Sequence, residues 1–63
     1  MSFAENFKTA RTKAGLTQQQ VADALKLERS SVAHYEMGDS MPSSRNLNKI
    51  CEILNISLTE LMK

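Results

Sequence analysis

Paired capping residues recur along this chain, and they restrict it to short helices. Three pairs place a Ser or Thr three positions before a Glu or Gln: Ser2 with Glu5, Thr17 with Gln20, and Ser57 with Glu60. In such a capping box the hydroxyl accepts the amide of the later residue, whose own side chain bonds back to the amide of the first. The pattern predicts helices that begin near residues 3, 18 and 58.

Apolar spacing gives the first helix its extent and its buried face. Phe3, Phe7, Ala10 and Ala14 recur at intervals of four, three and four, which places them on one side of a helix. Gly15 then supplies a residue suited to the left-handed conformation that ends many helices. We expect helix one to end at this glycine.

Two short helices follow, separated by a brief turn. The first of them buries Ala22 and runs for about two turns, with no obvious breaker at its end. Helix three covers about residues 29–37, with Glu28 able to cap it and Gly38 closing it. Residues 18–37 therefore read as helix, turn and helix.

Turn-forming residues in the stretch 38–43 separate helix three from two more helices. Pro42 disfavours a helical conformation at the residue before it. Helix four begins with Ser43 or Ser44 as its cap and ends at Asn55, a residue type that tolerates the left-handed conformation. A last short helix follows the third capping box. No segment shows the alternation of a strand, so we predict a compact all-α fold of five helices.

A chain of 63 residues has little surface to bury, and this limits what it can do. It hides only about 60% of the surface that its unfolded form exposes, so we expect one domain over residues 1–63. The lone Cys51 excludes an internal disulfide, and a single histidine leaves no set of four zinc ligands. Nor is there a nucleophile beside a base, or a glycine loop to cradle phosphate. We expect no enzyme, no catalytic residue, no metal, no cofactor and no small-molecule substrate.

Hydropathy and charge give no sign of a membrane and no direct sign of nucleic acid. Apolar residues make up 41% of the chain and charged residues 24%, and no apolar run is long enough to span a bilayer. No signal peptide is recognisable, so the expected location is the cytoplasm. The net charge is only +1, so an argument for DNA binding depends on where the charges lie.

The two central helices have the geometry of a helix-turn-helix, in which the small Ala22 permits close approach of a second helix that buries Val32. Further residues match a known family along nearly the whole chain: Gly15, Leu16, Thr17, Gln18, Glu36, Gly38, Pro42, Leu47 and Ile50. Together they resemble the Cro/CI-type (lambda-repressor-like, XRE) helix-turn-helix family. The resemblance implies a five-helix DNA-binding domain whose helix-turn-helix is formed by helices two and three.

The resemblance also implies which side chains meet DNA. Helix three would enter the major groove with Arg29, Ser30 and His34 at the base edges. Arg29 suits bidentate pairing with guanine, Ser30 donates or accepts, and His34 can meet an acceptor one helical turn further on. Ala33, if it faces outward, offers a methyl group to thymine.

Other residues would hold the domain on the DNA backbone. Gln18, at the start of helix two, is implied by the resemblance to touch a phosphate. The first amides of helix four, with Ser43 and Ser44, form an anion site, and Arg45 adds a charge nearby. These contacts position a domain without reading sequence.

The resemblance gives Arg11 and Glu36 a structural part, as an ion pair that ties helix one to the end of helix three. Breaking one side of a buried ion pair costs about 3–5 kcal/mol. A substitution at Arg11 would therefore abolish binding by unfolding the domain.

Three features depart from the family pattern. Lys26 stands where the turn between helices two and three usually has a left-handed glycine, at a cost of about 1 kcal/mol. Met37 replaces a polar or basic residue near the DNA backbone. Asp39 and Glu28 bring negative charge close to the expected interface, where they would repel phosphates unless they face away.

The resemblance therefore implies a sequence-specific regulator of transcription, most often a repressor in this family, and we expect it to bind duplex DNA as a homodimer on a palindromic operator. The prediction of a dimer is based on Leu58, Leu61 and Met62, which would form a small apolar patch if exposed. An alternative is a protein-interaction module of the same fold, such as an antitoxin component or the amino-terminal part of a larger regulator.

Overall fold

Five α-helices follow one another along residues 2–63, the part of the chain that the structure, a computed structural model, describes. They are α1 (Phe3–Lys13), α2 (Gln18–Leu25), α3 (Arg29–Met37), α4 (Ser44–Leu54) and α5 (Leu58–Met62). No strand occurs in this range. The predicted all-α, five-helix fold is confirmed, with helices two and three in the expected places.

Side-chain hydroxyls start four of these helices. Ser2 and Thr17 form complete capping boxes, with their hydroxyls 3.2 and 3.0 Å from the amides they accept. Ser43 caps α4 and Ser57 caps α5 through the hydroxyl alone. The full capping box expected for Ser57 and Glu60 is therefore not formed, because the Glu60 carboxylate does not bond back to the Ser57 amide. These bonds satisfy amides that lack a partner within the first helical turn, which fixes where each helix begins.

The start of α3 differs from our expectation. Glu28 occupies the N-cap position with extended backbone, but its side chain makes no capping hydrogen bond. The expectation that Glu28 caps the helix through its side chain is wrong, because the shorter Ser, Thr, Asp and Asn side chains are the ones suited to this position. α3 must therefore be held by its packing and by contacts of its other residues.

Three helices end in one common way. A left-handed residue follows the helix, and the apolar residue after it donates its amide to a carbonyl five positions earlier. The bonds join Leu16 to Arg11 at 3.2 Å, Leu27 to Ala22 at 2.8 Å, and Ile56 to Cys51 at 3.1 Å. Each of these apolar residues then packs against the core, so this packing holds the turn in place.

The end of α2, where the sequence shows no breaker, is formed by Lys26 in the left-handed conformation, at φ 59°. The backbone geometry that the family resemblance implies at this turn is therefore present, with lysine in place of glycine. The chain tolerates lysine in this conformation because the next residue, Leu27, packs on the core immediately after the turn.

A single cluster of buried side chains joins all five helices. Its members are Phe7, Ala10, Val21, Ala22, Leu25, Val32, Tyr35, Ile50, Leu54 and Leu61. Ala22 on α2 and Val32 on α3 are both fully buried, and these two helices pack on each other. Ala14, expected on the buried stripe of α1, is exposed because it lies beyond the last residue of the helix. Within residues 2–63 no helix is both long enough and apolar enough to cross a membrane.

Candidate nucleic-acid interface

The recognition surface expected from the sequence lies on the outer side of α3. Val32 and Tyr35 are buried on the inner side of the helix. Arg29, Ser30 and His34 are exposed, and their spacing of one and four residues places them together on the opposite side. α3 therefore presents a guanidinium group, an imidazole and a hydroxyl on a single outward face.

Smaller and apolar groups complete this face. Ala33 is half-buried, so its methyl group is only partly accessible. Met37 is 67% exposed and follows Ala33 by one helical turn. The middle of the face is thus apolar, which suits contact with thymine methyl groups more than contact with phosphate.

Arg29 is held in place by Gln18 from the start of α2. One guanidinium nitrogen of Arg29, Nη1, donates to Oε1 of Gln18 at 3.3 Å. Nε2 of Gln18 donates to Oε1 of Glu36 at 3.0 Å. A glutamine amide carries two hydrogens, so Gln18 keeps one donor for a further acceptor such as a phosphate.

The same carboxylate receives Arg11 from α1. Arg11 donates from Nε to Oε2 of Glu36 and from Nη2 to Oε1 at 3.2 Å. Its Nη1 also donates to the carbonyl of Leu16 at 2.7 Å. The side chains of Arg11 and Glu36 are only 12% and 6% exposed, so this is a largely buried, bidentate ion pair. The structure thus contains the ion pair between α1 and the end of α3.

These contacts form one continuous chain of hydrogen bonds, named here the Arg11–Arg29 chain. It runs from Arg11 through Glu36 and Gln18 to Arg29. It links α1, the first turn of α2 and both ends of α3. The last two links were not predicted from the sequence, because no fixed spacing marks a contact between residues on different helices.

His34, on the same outward face of α3, also has a hydrogen-bond partner. Nδ1 of His34 lies 3.1 Å from Oδ2 of Asp39, and both side chains are about half exposed. Asp39 follows Gly38, whose φ of +87° turns the chain back over the last turn of α3. Asp39 is therefore hydrogen-bonded to the imidazole of His34, and its carboxylate does not stand without a partner beside the interface.

The start of α4 has the features of the anion site expected there. The hydroxyl oxygen of Ser43 accepts the amide of Asn46 at 3.3 Å and so caps the helix, while its O–H group remains a donor. Ser44 and Arg45 are exposed beside it. The exposed hydroxyl of Ser44, the guanidinium of Arg45 and the positive end of an eleven-residue helix remain available to an anion.

The apolar residues near the carboxyl end divide into two sets. Leu58 and Met62 are 46% and 44% exposed, and their spacing of four places them on one side of α5. Leu61 is fully buried. Its predicted place in a dimer surface is wrong, because its side chain faces α1 and the core and has no accessible area left for a partner.

A buried asparagine anchors this last helix, and sequence reasoning missed it. Nδ2 of Asn6 donates to the carbonyls of Leu61 at 3.0 Å and Lys63 at 2.9 Å. Asn6 is 9% exposed, the one buried polar residue of the described range. The only available signal was a polar residue one position before the core residue Phe7.

Nothing in the described range has the donor set of a metal site. No group of three or more His, Cys, Asp or Glu side chains lies close enough to hold an ion within residues 2–63. Cys51 is half-buried against the core.

Comparison with known proteins places this architecture in a family. The model of a helix-turn-helix family matches residues 7–61. A transcriptional regulator of Bacillus subtilis, YqaE, described as HTH-type, is 41% identical over 61 residues, which cover 97% of this chain and 53% of that protein. The phage repressor RstR of Vibrio cholerae is 36% identical over 61 residues, covering 97% of this chain and 54% of that one.

A solved structure shows the same fold across almost its full length. The restriction-modification controller protein C.AhdI of Aeromonas hydrophila superimposes with a TM-score of 0.85 at 33% identity, covering 95% of this chain and 91% of that one. The chain spans about half the length of the curated relatives it matches. The family match, the shared fold and the helix pair α2–α3 together show that this chain belongs to the Cro/CI-type helix-turn-helix family.

Proposed function

We propose that this chain binds duplex DNA sequence-specifically through α3 and regulates transcription as a homodimeric repressor. The observation that carries the proposal is the outward face of α3, where Arg29 is hydrogen-bonded to Gln18 and His34 to Asp39. Side chains held in place before binding lose less conformational freedom when they meet a ligand, which favours specific contact.

We assign base reading to four residues on the outward face of α3, namely Arg29, Ser30, Ala33 and His34. Arg29 retains guanidinium donors beyond the one given to Gln18, enough for bidentate pairing with O6 and N7 of guanine. Ser30 meets a donor or an acceptor on the next base. Ala33 contributes apolar contact to a thymine methyl, and His34 a hydrogen bond one turn further along the helix.

Backbone contacts are assigned to the helix starts that flank α3. Gln18 has one free amide hydrogen for a phosphate, and it lies beside Arg29. Ser43, Ser44 and Arg45 place the amino end of α4 against a second phosphate, with the amides of the first turn as donors. Such contacts fix the orientation in which α3 enters the groove.

Dimerisation is assigned to the exposed side of α5. Leu58 and Met62 are the accessible apolar residues there, and a net charge of +1 gives a monomer few phosphate contacts to work with. A two-fold dimer would read two half-sites about one helical turn apart, which implies a palindromic operator. Repression follows when the bound dimer blocks access to a promoter.

The first experiment is selection of bound sequences from a random duplex library, followed by titration of the selected duplex and a scrambled one between about 50 and 200 mM salt. We expect an enriched palindrome with a preference of about 10³-fold or more. Weak binding without enrichment that vanishes at the higher salt would contradict sequence-specific reading.

Arg29→Ala tests the recognition helix itself. We expect the affinity for the selected duplex to fall by about 1–3 kcal/mol with little change in melting temperature, since Arg29 is exposed. Lys8→Ala is the matched control, because it removes an exposed positive charge on α1. Equal losses in the two variants would indicate attraction by net charge alone.

One observation favours the alternative of a protein-binding module. Met37 and Met41 are 67% and 53% exposed, and both line a cavity of about 340 Å3 beside the amino end of α1. Methionine is common on surfaces that bind varied protein partners. If the library yields no enriched sequence, this methionine surface becomes the leading candidate, and Met37→Ser should then weaken the interaction with the protein partner.

A further inference from the structure

The hydrogen bond between His34 and Asp39 constrains the chemistry of the recognition face. Nδ1 of His34 and Oδ2 of Asp39 are 3.1 Å apart. The contact depends on Gly38, because its left-handed backbone reverses the chain directly after α3 and its amide bonds to the carbonyl of His34 at 3.1 Å. Asp39 is therefore brought to the side of the imidazole that carries Nδ1.

An ionised carboxylate can only accept hydrogen bonds, so Nδ1 must carry the hydrogen that joins the two groups. In a neutral imidazole only one nitrogen is protonated. The proton on Nδ1 leaves Nε2 of His34 with a free lone pair. Nε2, which lies on the far side of the ring from Asp39, is then an acceptor.

We propose that Asp39 is a positioning residue that fixes the Nδ1-protonated tautomer of His34, so that Nε2 accepts a hydrogen bond from an exocyclic amine in the major groove. This inference rests on the proposed reading of DNA by α3. The amines available there are N6 of adenine and N4 of cytosine, whereas guanine and thymine present acceptors. The sequence alone suggested the opposite, a histidine that donates to an acceptor on the base.

The proposal gives Asp39 a signature that a purely electrostatic role lacks. Its carboxylate is about half exposed and negative, so removing it reduces repulsion of the DNA backbone and raises affinity for all sequences. Removing it also frees the imidazole to exchange tautomers and rotate. Asp39→Ala should therefore bind DNA more tightly overall and discriminate less at one base pair.

The first test needs no DNA. Long-range 1H–15N NMR of the imidazole, recorded on the free protein at about pH 8.5, where histidine rings are ordinarily neutral, identifies the protonated nitrogen. With one histidine in the chain the assignment is direct. We expect protonation at Nδ1 in the original protein and a mixture of both tautomers in Asp39→Ala. Protonation at Nε2 in the original protein, or an unchanged spectrum in the variant, would overturn the proposal.

The second test repeats the library selection at the same pH with Asp39→Ala, His34→Ala and Glu28→Ala. Glu28→Ala is the matched control, because it removes an exposed carboxylate at the other end of α3 that makes no capping bond. We expect the first two variants to lose about fivefold or more preference at the same base pair, with the guanine assigned to Arg29 retained.

Several outcomes of this selection decide the matter. A preference that Asp39→Ala leaves intact, or that Glu28→Ala loses to the same extent, would overturn the positioning role. Failure of the original protein to select any sequence would overturn the proposed DNA reading instead, while the NMR result would still report the tautomer. Circular dichroism of each variant shows whether the helices are retained.

Discussion

Among residues 2–63, two residues other than glycine adopt the left-handed conformation, and they differ in the free energy that it costs. Asn55, at φ 54°, belongs to a residue type that enters this region readily. Lys26, at φ 59°, has a side chain that disfavours it. The strain is tolerated because Leu27 packs on the core and the turn closes α2 with its carbonyl bonds satisfied.

Lys26→Gly should therefore stabilise the protein. We expect a gain of about 0.5–1 kcal/mol in the free energy of unfolding, less than the full strain because glycine also gains freedom in the unfolded chain. Urea denaturation measures it as a higher midpoint with an unchanged slope. Lys26→Ala removes the same charge but keeps the strain, so an equal gain in this variant would attribute the effect to charge.

At the scale of helices, the Arg11–Arg29 chain couples the position of α3 to that of α1. Glu36 is its central member, since its carboxylate accepts from Arg11 and from Gln18 at once. The ion pair of Arg11 and Glu36 is nearly buried, so each charge is compensated by the other and not by water. Stability and the proposed DNA reading therefore share residues in this protein.

Arg11→Ala tests this coupling. The variant leaves the buried carboxylate of Glu36 without its cation, and we expect a loss of about 3–5 kcal/mol, which is a large part of the stability of a small domain. Thermal melting followed by circular dichroism measures it. Arg45→Ala, an exposed arginine on α4, should melt within a few degrees of the original protein. Similar melting of both variants would contradict a stabilising ion pair.

The packing of α2 on α3 depends on a small side chain. Ala22 is fully buried at this contact, whereas Ala24, on the same helix, is exposed. Ala22→Leu should cost about 1–3 kcal/mol through overpacking and shift α3 relative to α1. Ala24→Leu should leave the urea midpoint nearly unchanged. Equal midpoints for the two variants would show that the close approach is not required.

At the scale of the whole molecule, α5 is both part of the core and part of the surface. Leu61 and the two carbonyl bonds from Asn6 attach it to α1, while Leu58 and Met62 remain accessible. A helix of five residues would not persist by itself, so its order comes from these attachments. The proposed dimer surface therefore depends on the core beneath it.

Substitutions at neighbouring leucines should separate these two roles. Leu61→Ala removes a fully buried side chain, and we expect a loss of about 2–5 kcal/mol in stability. Leu58→Asp should leave the melting temperature nearly unchanged but weaken self-association in sedimentation velocity, together with binding to a palindromic duplex. A Leu58→Asp protein that keeps the self-association of the original chain would place the dimer surface elsewhere.

Local features were predicted from the residues themselves, whereas the one contact between helices that was predicted, Arg11 with Glu36, came from the family resemblance. Helix starts and ends follow from short-range chemistry such as the hydroxyl of Thr17 or the glycine at position 38, so their places were predictable. Leu61 was misplaced because spacing alone does not tell which side of a five-residue helix is covered. The contacts of Gln18 with Arg29, and of His34 with Asp39, depend on how the chain folds back on itself.

Those two contacts bear on how such a domain acquires a new target sequence. Arg29 and His34 are each bonded to a second side chain, so replacing either one leaves a partner without its bond. Ala33 has no polar group to satisfy, and within residues 2–63 the hydroxyl of Ser30 has no side-chain hydrogen bond. Under the proposed DNA reading, single substitutions at Ala33 and Ser30 would change the base preference without removing a side-chain hydrogen bond. A change at Arg29 or His34 would also remove a bond from Gln18 or Asp39, so changes of specificity at those bases would involve pairs of residues.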